Sequence, residues 1–207
     1  MHSQPNLAGS CSQYGACEPR VWAGGQTIHP TPENTIVAAG QVITDAVNDF
    51  FNPAGKDVRF LPGLNFALDR DHFLAIGGCD AEFGRLAGED RDFVDRWLSS
   101  GGKLHLCRHA EVLHAHRTTL AGFLRQYFNY GRGAWRYHQL RRQRHRGRFW
   151  EDARLHGQLP ALMTTPMRQV PRRWRLQVIL LIVAWQLANL CGFLWQAVID
   201  ECPWIQP

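Results

Sequence analysis

The feature that most constrains this chain of 207 residues is an almost wholly apolar run near its end. The run extends from Gln177 to Ile199, and its main interruptions are the amides Gln186, Asn189 and Gln196. About 20 apolar residues suffice for a helix to cross a bilayer. The run therefore predicts a transmembrane helix, with a buried helix or one lying in the membrane interface as the alternatives.

Charge is unevenly distributed around this run. The whole chain carries a formal charge of +5. The excess arginines are Arg141, Arg142, Arg144, Arg146, Arg148, Arg154, Arg168, Arg172, Arg173 and Arg175. Such a block indicates an anionic surface, either lipid head groups or nucleic acid, or else a solvated charged face. The adjoining apolar run favours lipid, and no nucleic-acid partner is expected because no recognised module accompanies the arginines.

The flanks of the apolar run predict its orientation. Arg172, Arg173 and Arg175 precede it, whereas Asp200 and Glu201 follow it. By the positive-inside rule its start is cytoplasmic, so we expect an inner or plasma membrane protein whose remaining part is cytoplasmic. The six cysteines form no C-x-x-C pair, which disfavours a zinc ribbon and is typical of reduced, cytosolic thiols.

Upstream of the arginines the pattern alternates between helices and strands, which predicts the α/β class. Helices are expected from Asn34 to Phe50, at Arg70–Ala75, at Glu89–Ser99 and from Thr118 or Thr119 through Trp135, and strands at Val58–Leu61, Asn65–Leu68, Lys103–Cys107 and Glu111–His114. The expected organisation is an irregular segment over 1–25, a folded domain over 26–140, a basic juxtamembrane region over 141–176 and the apolar helix over 177–199.

Two adjacent carboxylates open one of the predicted helices. Glu89 and Asp90 follow Gly88, and the Gly77-Gly78 pair lies a little upstream. Acids at a helix start are commonly caps that complement the helix dipole. Glycines, however, let a backbone turn tightly around a ligand, and a carboxylate at such a place can accept a proton as a general base.

Two histidines and a basic helix are the other candidates. His114 and His116 would point to the same face of a strand, where imidazoles can bind a metal, although paired histidines are more often structural or exposed. Arg125, Gln126 and Arg132 fall on one predicted helix. Guanidinium groups can pair with phosphate oxygens, and the alternative is a basic face that rests on a membrane or on solvent.

Several of these segments together resemble a known family. Gly77–Asp80 resembles a Gly-Gly-Phe-Asp turn, with Cys79 in place of the aromatic residue. The other matching segments are Phe60–Leu68, the Glu89-Asp90 pair, Val112–His116 and Tyr130–Gly133. In this order, over roughly residues 20 to 138, they resemble the acceptor-side half of the inverting family 2 glycosyltransferases.

The resemblance implies a fold and a chemistry. It implies a partial GT-A-like (Rossmann-like) mixed sheet with flanking helices, and transfer from a nucleotide-diphosphate sugar to a hydroxyl of a lipid-linked or cell-envelope glycan acceptor. Asp90, beside Glu89, would be the catalytic base, and Mg²⁺ or Mn²⁺ would be the cofactor. The implied substrate-binding residues are Asn65, Gly77, Gly78, Asp80, Arg125, Gln126 and Arg132, and the implied metal ligands are His114 and His116.

The chain also departs from the family pattern. Members carry a donor-binding βαβ half with an Asp-x-Asp motif, and neither Asp69–Asp71 nor Asp90–Asp92 stands at the corresponding place. The donor-binding half is therefore expected to be missing from this sequence. A second hypothesis follows, in which the chain is a catalytically incomplete, membrane-associated remnant or subunit whose donor-binding half is supplied elsewhere.

Overall fold

A computed structural model describes residues 20–28, 34–84, 86–114, 119–145 and 149–201. This part of the chain is mixed α/β, mostly helical, which confirms the predicted class. The elements are β1 (Val21–Ile28), α1 (Thr35–Phe51), β2 (Phe66–Leu68), α2 (Arg70–Ala75), α3 (Glu89–Ser99), β3 (Lys103–Leu113), α4 (Leu120–Gln143), α5 (Phe149–Leu162), α6 (Thr164–Gln169) and α7 (Arg175–Glu201). Short 3₁₀ turns lie at Ala81–Phe83 and Arg172–Trp174.

The chain divides into two compact units. The first unit takes residues 1–30, 51–80 and 90–115, and the second takes 31–50, 81–89 and 116–207. The sheet, α2 and nearly all of α3 therefore belong to the first unit. Most of α1 and all of α4 to α7 belong to the second.

The sheet of the first unit has the order β2-β1-β3. The central strand β1 pairs antiparallel with β2 and parallel with β3. The prediction that residues 1–25 are irregular is wrong for Val21–Gly25, which lie in this strand, while residues 1–19 lie outside the described ranges. Because residues 22–25 of β1 are buried in succession, they lack the alternation by which a half-buried strand is recognised. Gly24 leaves room for Leu61, whose Cδ2 lies 2.7 Å from where a Cβ would stand.

Two other strand predictions are corrected. Val58–Leu61 has no regular secondary structure, and the side chain of Asn52 bonds to its backbone where a neighbouring strand would otherwise pair. The Asn52 amide donates to the carbonyl of Phe60 at 2.8 Å, and its Oδ1 accepts from the backbone N–H of Arg59 at 3.0 Å. The strands expected at Lys103–Cys107 and Glu111–His114 are one strand, β3, with an irregularity between Cys107 and Glu111 and with its end at Leu113.

The hydrophobic core of the first unit forms between the sheet and α3. Trp22 of β1 meets the rings of Phe93 and Trp97 of α3, at centroid distances of 5.1 and 6.0 Å. The fully buried members of this cluster also include Leu61. The indole of Trp97 donates to the carbonyl of Lys103 at 3.1 Å, so burial of its ring leaves no unsatisfied donor. This packing fixes α3 against the sheet.

The second unit consists of helices. The basic region 141–176, which shows little periodicity in sequence, contains α5 and α6. The apolar run is confirmed as a single helix, α7, and the span Arg172–Glu201 is long and apolar enough to cross a membrane by length and composition. Only 17% of its most apolar window is buried within the protein. This is weak evidence for association with a membrane.

A half-buried acid in α1, Asp45, makes the stability of the second unit depend on pH. Burial raises the pKa of Asp45 to about 6, against a hydrogen bond from Gln41 that lowers it, and Asp49 raises it further. Since the pKa in the folded state exceeds the unfolded value near 3.8, this contribution to stability is complete below pH 3.8 and is lost as the pH rises through 6. We therefore expect Asp45→Asn to stabilise the protein by about 2–3 kcal/mol at pH 8 and hardly at all at pH 4.

The measurement is urea unfolding of the wild type and Asp45→Asn at both pH values. Asp71→Asn, in which the replaced side chain is 90% exposed, is the matched control and should show no comparable gain. A gain for Asp45→Asn that is equal at pH 4 and pH 8 would contradict the assignment, because it would not follow the charge of Asp45.

Candidate functional site

Asp90 is the second residue of α3 and is half-buried. Its Oδ2 accepts from the backbone N–H of Gly63 at 3.3 Å, and its Oδ1 accepts from the N–H of Arg91 at 2.8 Å. A Cβ at Gly63 would lie 3.5 Å from the Cβ of Asp90, which is an ordinary van der Waals contact, so the two residues are close neighbours. The carboxylate is thus oriented by two backbone donors at a helix N-terminus, where negative charge is favoured.

Glu89 has different surroundings. It is the first residue of α3, its side chain is exposed, and it falls in the second unit. Gly88, just before it, has a φ of 118°, which L-residues rarely adopt. The sequence pair is therefore not a pair of equivalent carboxylates, because only Asp90 has its oxygens held by the backbone of the first unit.

The Gly77-Gly78 turn has the tight geometry that its sequence predicts. Gly77 and Gly78 have φ values of 88° and 61°. The N–H of Gly78 donates to the carbonyl of Phe73 at 2.9 Å, and a Cβ at Gly78 would stand 3.1 Å from the Phe73 ring. Asp80, which ends the turn, is half-buried. The positive φ of Gly78 favours glycine there, and any added Cβ would also have to displace the Phe73 ring slightly.

An arginine of α3 fixes this turn. The guanidinium of Arg96 donates to the carbonyl of Ile76 at 2.8 Å and to that of Gly78 at 2.5 Å. Its Nε donates to Oδ2 of Asp92 at 2.8 Å, and the Asp92 side chain is completely buried. The helix that begins with Glu89 and Asp90 therefore also holds the glycine turn. Arg96 makes the contact with the turn, and its pairing with Asp92, one helical turn earlier on α3, holds Arg96 in place.

Asn65 is buried in the sheet, with an exposed fraction of 4%. Its amide donates to the carbonyls of Gln26 and Ala110, at 3.1 and 2.9 Å, where β3 departs from regular pairing with β1. Its own carbonyl accepts from the N–H of Gly25 at 2.8 Å. Its observed contacts are thus with backbone, and they satisfy polar groups that the irregular pairing would otherwise leave buried.

Of the two histidines proposed as metal ligands, His114 lies just past the end of β3. It is half-buried, and its backbone N–H donates to the carbonyl of Ile28 at 2.9 Å. His116 lies outside the described residues. Within the described ranges, no group of three or more His, Cys, Asp or Glu side chains could hold a metal ion.

The three candidates on α4 lie in the second unit. Arg125 is exposed beside an apolar groove between α4 and α7. Gln126 donates to the hydroxyl of Tyr130 at 3.1 Å, and Nε of Arg132 donates to Oε1 of Gln196 at 2.8 Å. The structure therefore places Asn65, Gly77, Gly78, Asp80 and Asp90 in one unit and these α4 residues in the other.

Sequence reasoning missed three residues of the site. Gly63 lies inside the matching segment Phe60–Leu68 without a predicted role, and its N–H is a donor to Asp90. Asp92 and Arg96 were not singled out, although an acid four residues before an arginine on a helix is a recognisable pairing signal. That spacing predicts the ion pair, but it does not predict that Arg96 also donates to the carbonyls of Ile76 and Gly78.

Compared with protein-family models, with curated proteins and with solved structures, the chain matches none of them significantly. Any functional assignment therefore depends on the chemistry of the site and on the motifs of the sequence. The strongest of these is the oriented carboxylate of Asp90, because it combines a motif position with defined hydrogen-bond geometry.

Proposed function

We propose that the protein belongs to an inverting glycosyl-transfer system of the family 2 type, with a partial GT-A-like sheet in its first unit. The observation that carries the proposal is the half-buried carboxylate of Asp90, held by the N–H groups of Gly63 and Arg91. A general base must present a defined oxygen to the hydroxyl that it deprotonates, and backbone donors provide that orientation without a flexible partner.

In the proposed reaction, a hydroxyl oxygen of the acceptor forms a bond to the anomeric carbon of a nucleotide-diphosphate sugar. The bond from that carbon to the diphosphate oxygen breaks, and the leaving diphosphate takes the electron pair. The hydroxyl proton passes to Asp90. Attack from the face opposite the leaving group inverts the anomeric configuration.

The acceptor side of the proposal uses the fixed turn. Gly77 and Gly78, with Asp80 at the end of the turn, would bind the acceptor, and their geometry is maintained by Arg96. Asn65 would support the acceptor site indirectly, because its amide donates to the carbonyls of Gln26 in β1 and Ala110 in β3 and so stabilises the sheet. Arg125 and Arg132 of the second unit would pair with phosphate, and Gln126 is a further candidate for substrate binding. A lipid-linked or cell-envelope acceptor is favoured by the apolar α7 and by the arginines that precede it.

A divalent cation, Mg²⁺ or Mn²⁺, would neutralise charge on the leaving diphosphate. Among the described residues, His114 is the one that the motif assigns to it. The described residues do not bring three potential ligands together, so they do not by themselves form a metal site. The side chains of Asp90 and its neighbours account for proton transfer only.

The test is a transfer assay with the full chain in membranes, with a panel of nucleotide-diphosphate sugars and an envelope lipid extract as acceptor. We expect Asp90→Asn to lower turnover by at least about a hundredfold, because the amide cannot accept the proton. Glu89→Gln should have a smaller effect, since its side chain is exposed. Asp71→Asn removes a carboxylate that is 90% exposed on α2 and should change nothing.

Two outcomes separate the alternatives. Donor binding and turnover that appear only after a second polypeptide is added would favour a subunit that lacks its own donor half. Turnover by the wild type that Asp90→Asn leaves intact would overturn the role of Asp90. An absence of turnover and of donor binding, with and without membrane extract, would overturn the proposal as a whole.

A further inference from the structure

One face of α7 presents a continuous apolar stripe. Its large apolar side chains recur every three or four residues, which places them on one side of a helix. Each has an exposed fraction of at least 50%: Leu176, Leu180, Val183, Leu187, Leu190, Leu194 and Val198. A soluble monomer rarely leaves so long a stripe uncovered.

The opposite face of α7 lies on the protein. Its buried residues, Val178, Trp185 and Gly192, are seven positions apart. Gln196, on the same side, accepts the hydrogen bond from Arg132 of α4. Gln196 therefore lies toward α4, and Gln186 contacts His156 of α5 at 2.9 Å. The exposed stripe itself contains no polar residue.

The two helices cross at a pair of glycines. A Cβ at Gly131 would stand 1.9 Å from the carbonyl oxygen of Asn189, and one at Gly192 would stand 1.9 Å from that of Phe128. Further contacts advance in the same direction along both helices. Tyr127 meets Trp185 at 5.9 Å between ring centroids, and the indole of Trp135 donates to Asp200 at 2.8 Å.

This pairing conflicts with a helix that crosses a bilayer. Because α4 runs beside α7 from Trp185 to Asp200, a spanning α7 would place α4 at the depth of the acyl chains. Of the arginines on α4, Arg125 and Arg132 lie at this level, whereas Arg136, Arg141 and Arg142 come after Trp135, which meets Asp200 at the end of α7. Each arginine at the centre of a bilayer costs about 2.5–3.5 kcal/mol even on the most permissive scale.

Charge identifies the surface that would accept the stripe. Between residues 119 and 201 the sequence has thirteen arginines but four acidic residues, Glu151, Asp152, Asp200 and Glu201. Arg172 and Arg173 are exposed directly before α7, and Arg173 stacks on Trp174 at 5.3 Å. Basic side chains beside an apolar helical face are the composition of helices that lie on anionic lipid.

We infer that α7 lies in the plane of an anionic lipid surface, with its stripe in the acyl boundary and α4 above it, and does not cross the bilayer. This arrangement keeps the arginines of α4 outside the acyl layer and still buries every exposed leucine of the stripe. It also differs from the transmembrane helix that the length of the apolar run predicts. The inference is independent of glycosyl transfer, and neither of its tests measures activity.

The first test locates the two ends of α7. The full chain is synthesised with sealed inner-membrane vesicles and treated with a membrane-impermeant maleimide. Two variants, Arg173→Cys and Glu201→Cys, each carry one reporter thiol, with the native cysteines other than buried Cys107 replaced by alanine. We expect both thiols to react before detergent is added. Protection of the Glu201→Cys thiol until detergent is added would show a spanning helix and overturn the inference.

The second test asks whether the stripe makes the contact. Flotation of the full chain with phosphatidylglycerol vesicles should be lost in Leu187→Asp and retained in Leu74→Asp. These leucines have similar exposed fractions, 58% and 54%, but Leu74 lies on α2. Vesicles of phosphatidylcholine alone should bind more weakly. Failure of the wild type to float, or equal flotation of both variants, would overturn the inference, and binding to nucleic acid but not to vesicles would identify the other anionic surface.

Discussion

Replacing Arg96 by methionine is expected to lower the free energy of unfolding of the first unit by about 3–5 kcal/mol, the range for breaking a buried ion pair. The side chain of Asp92 is completely buried, and the substitution removes its guanidinium partner. The same change takes the donors from the carbonyls of Ile76 and Gly78. Urea unfolding, followed by hydrogen exchange in α3 and in the glycine turn, measures both consequences.

Three matched variants make this prediction specific. Arg70→Met removes an arginine whose side chain is 83% exposed and should cost less than about 1 kcal/mol, as surface pairs do. Arg96→Lys keeps the charge but loses the forked geometry, so an intermediate loss is expected. The double variant Asp92→Leu with Arg96→Leu should recover stability yet leave the turn unanchored. If Arg96→Met is as stable as Arg70→Met, the pair does not hold the structure.

Gly192→Ala is expected to destabilise the second unit by about 3 kcal/mol, at the upper end of the usual cost of overpacking. The new Cβ would stand 1.9 Å from the carbonyl oxygen of Phe128, which is backbone and cannot rotate away. The helices α4 and α7 must separate instead, and the hydrogen bond between Arg132 and Gln196 then lengthens. Urea unfolding and hydrogen exchange along α4 and α7 report the change.

The same substitution at another helical glycine supplies the control. A Cβ at Gly157 of α5 meets nothing within 4 Å, so Gly157→Ala should stabilise the protein by about 0.5–1 kcal/mol through helix propensity. The two substitutions are thus expected to have opposite signs. Gly131→Ala combined with Gly192→Ala should cost less than the sum of both, because either one already separates the crossing. A stabilising Gly192→Ala would show that the helices are not in close contact.

The helices were the most predictable part of the fold. The apolar face of α3 and the length of the apolar run in α7 predicted these helices. Thr119, one of the two predicted caps, accepts from the N–H of Gly122 at the start of α4. The strands were less predictable because their signals depend on neighbours. The central strand β1 is buried on both sides and contains Gly24 and Gly25, so it has neither alternation nor β-branched residues there.

For the site, the sequence identified positions but not partners. The motif pointed to Asp90, and local pattern cannot show that Gly63, 27 residues earlier, supplies one of its donors. Likewise, Asn65 is a plausible pocket residue in sequence, whereas its amide lies between the carbonyls of Gln26 and Ala110. Contacts of this kind form only when distant segments meet, and composition or periodicity carries no information about them.

The pairing of α4 with α7 also has a consequence for the order in which the chain folds. Its hydrogen bonds join residues 64 and 65 positions apart, and closing a segment of that length costs roughly 4 kcal/mol of chain entropy before any contact is made. During synthesis the face of α4 that packs on α7 therefore stays uncovered while α5 and α6 are synthesised. When α7 appears, both its glycine face and its leucine stripe are uncovered, and it is then most exposed to aggregation. A lipid surface nearby at that moment would act on the nascent chain as a folding aid.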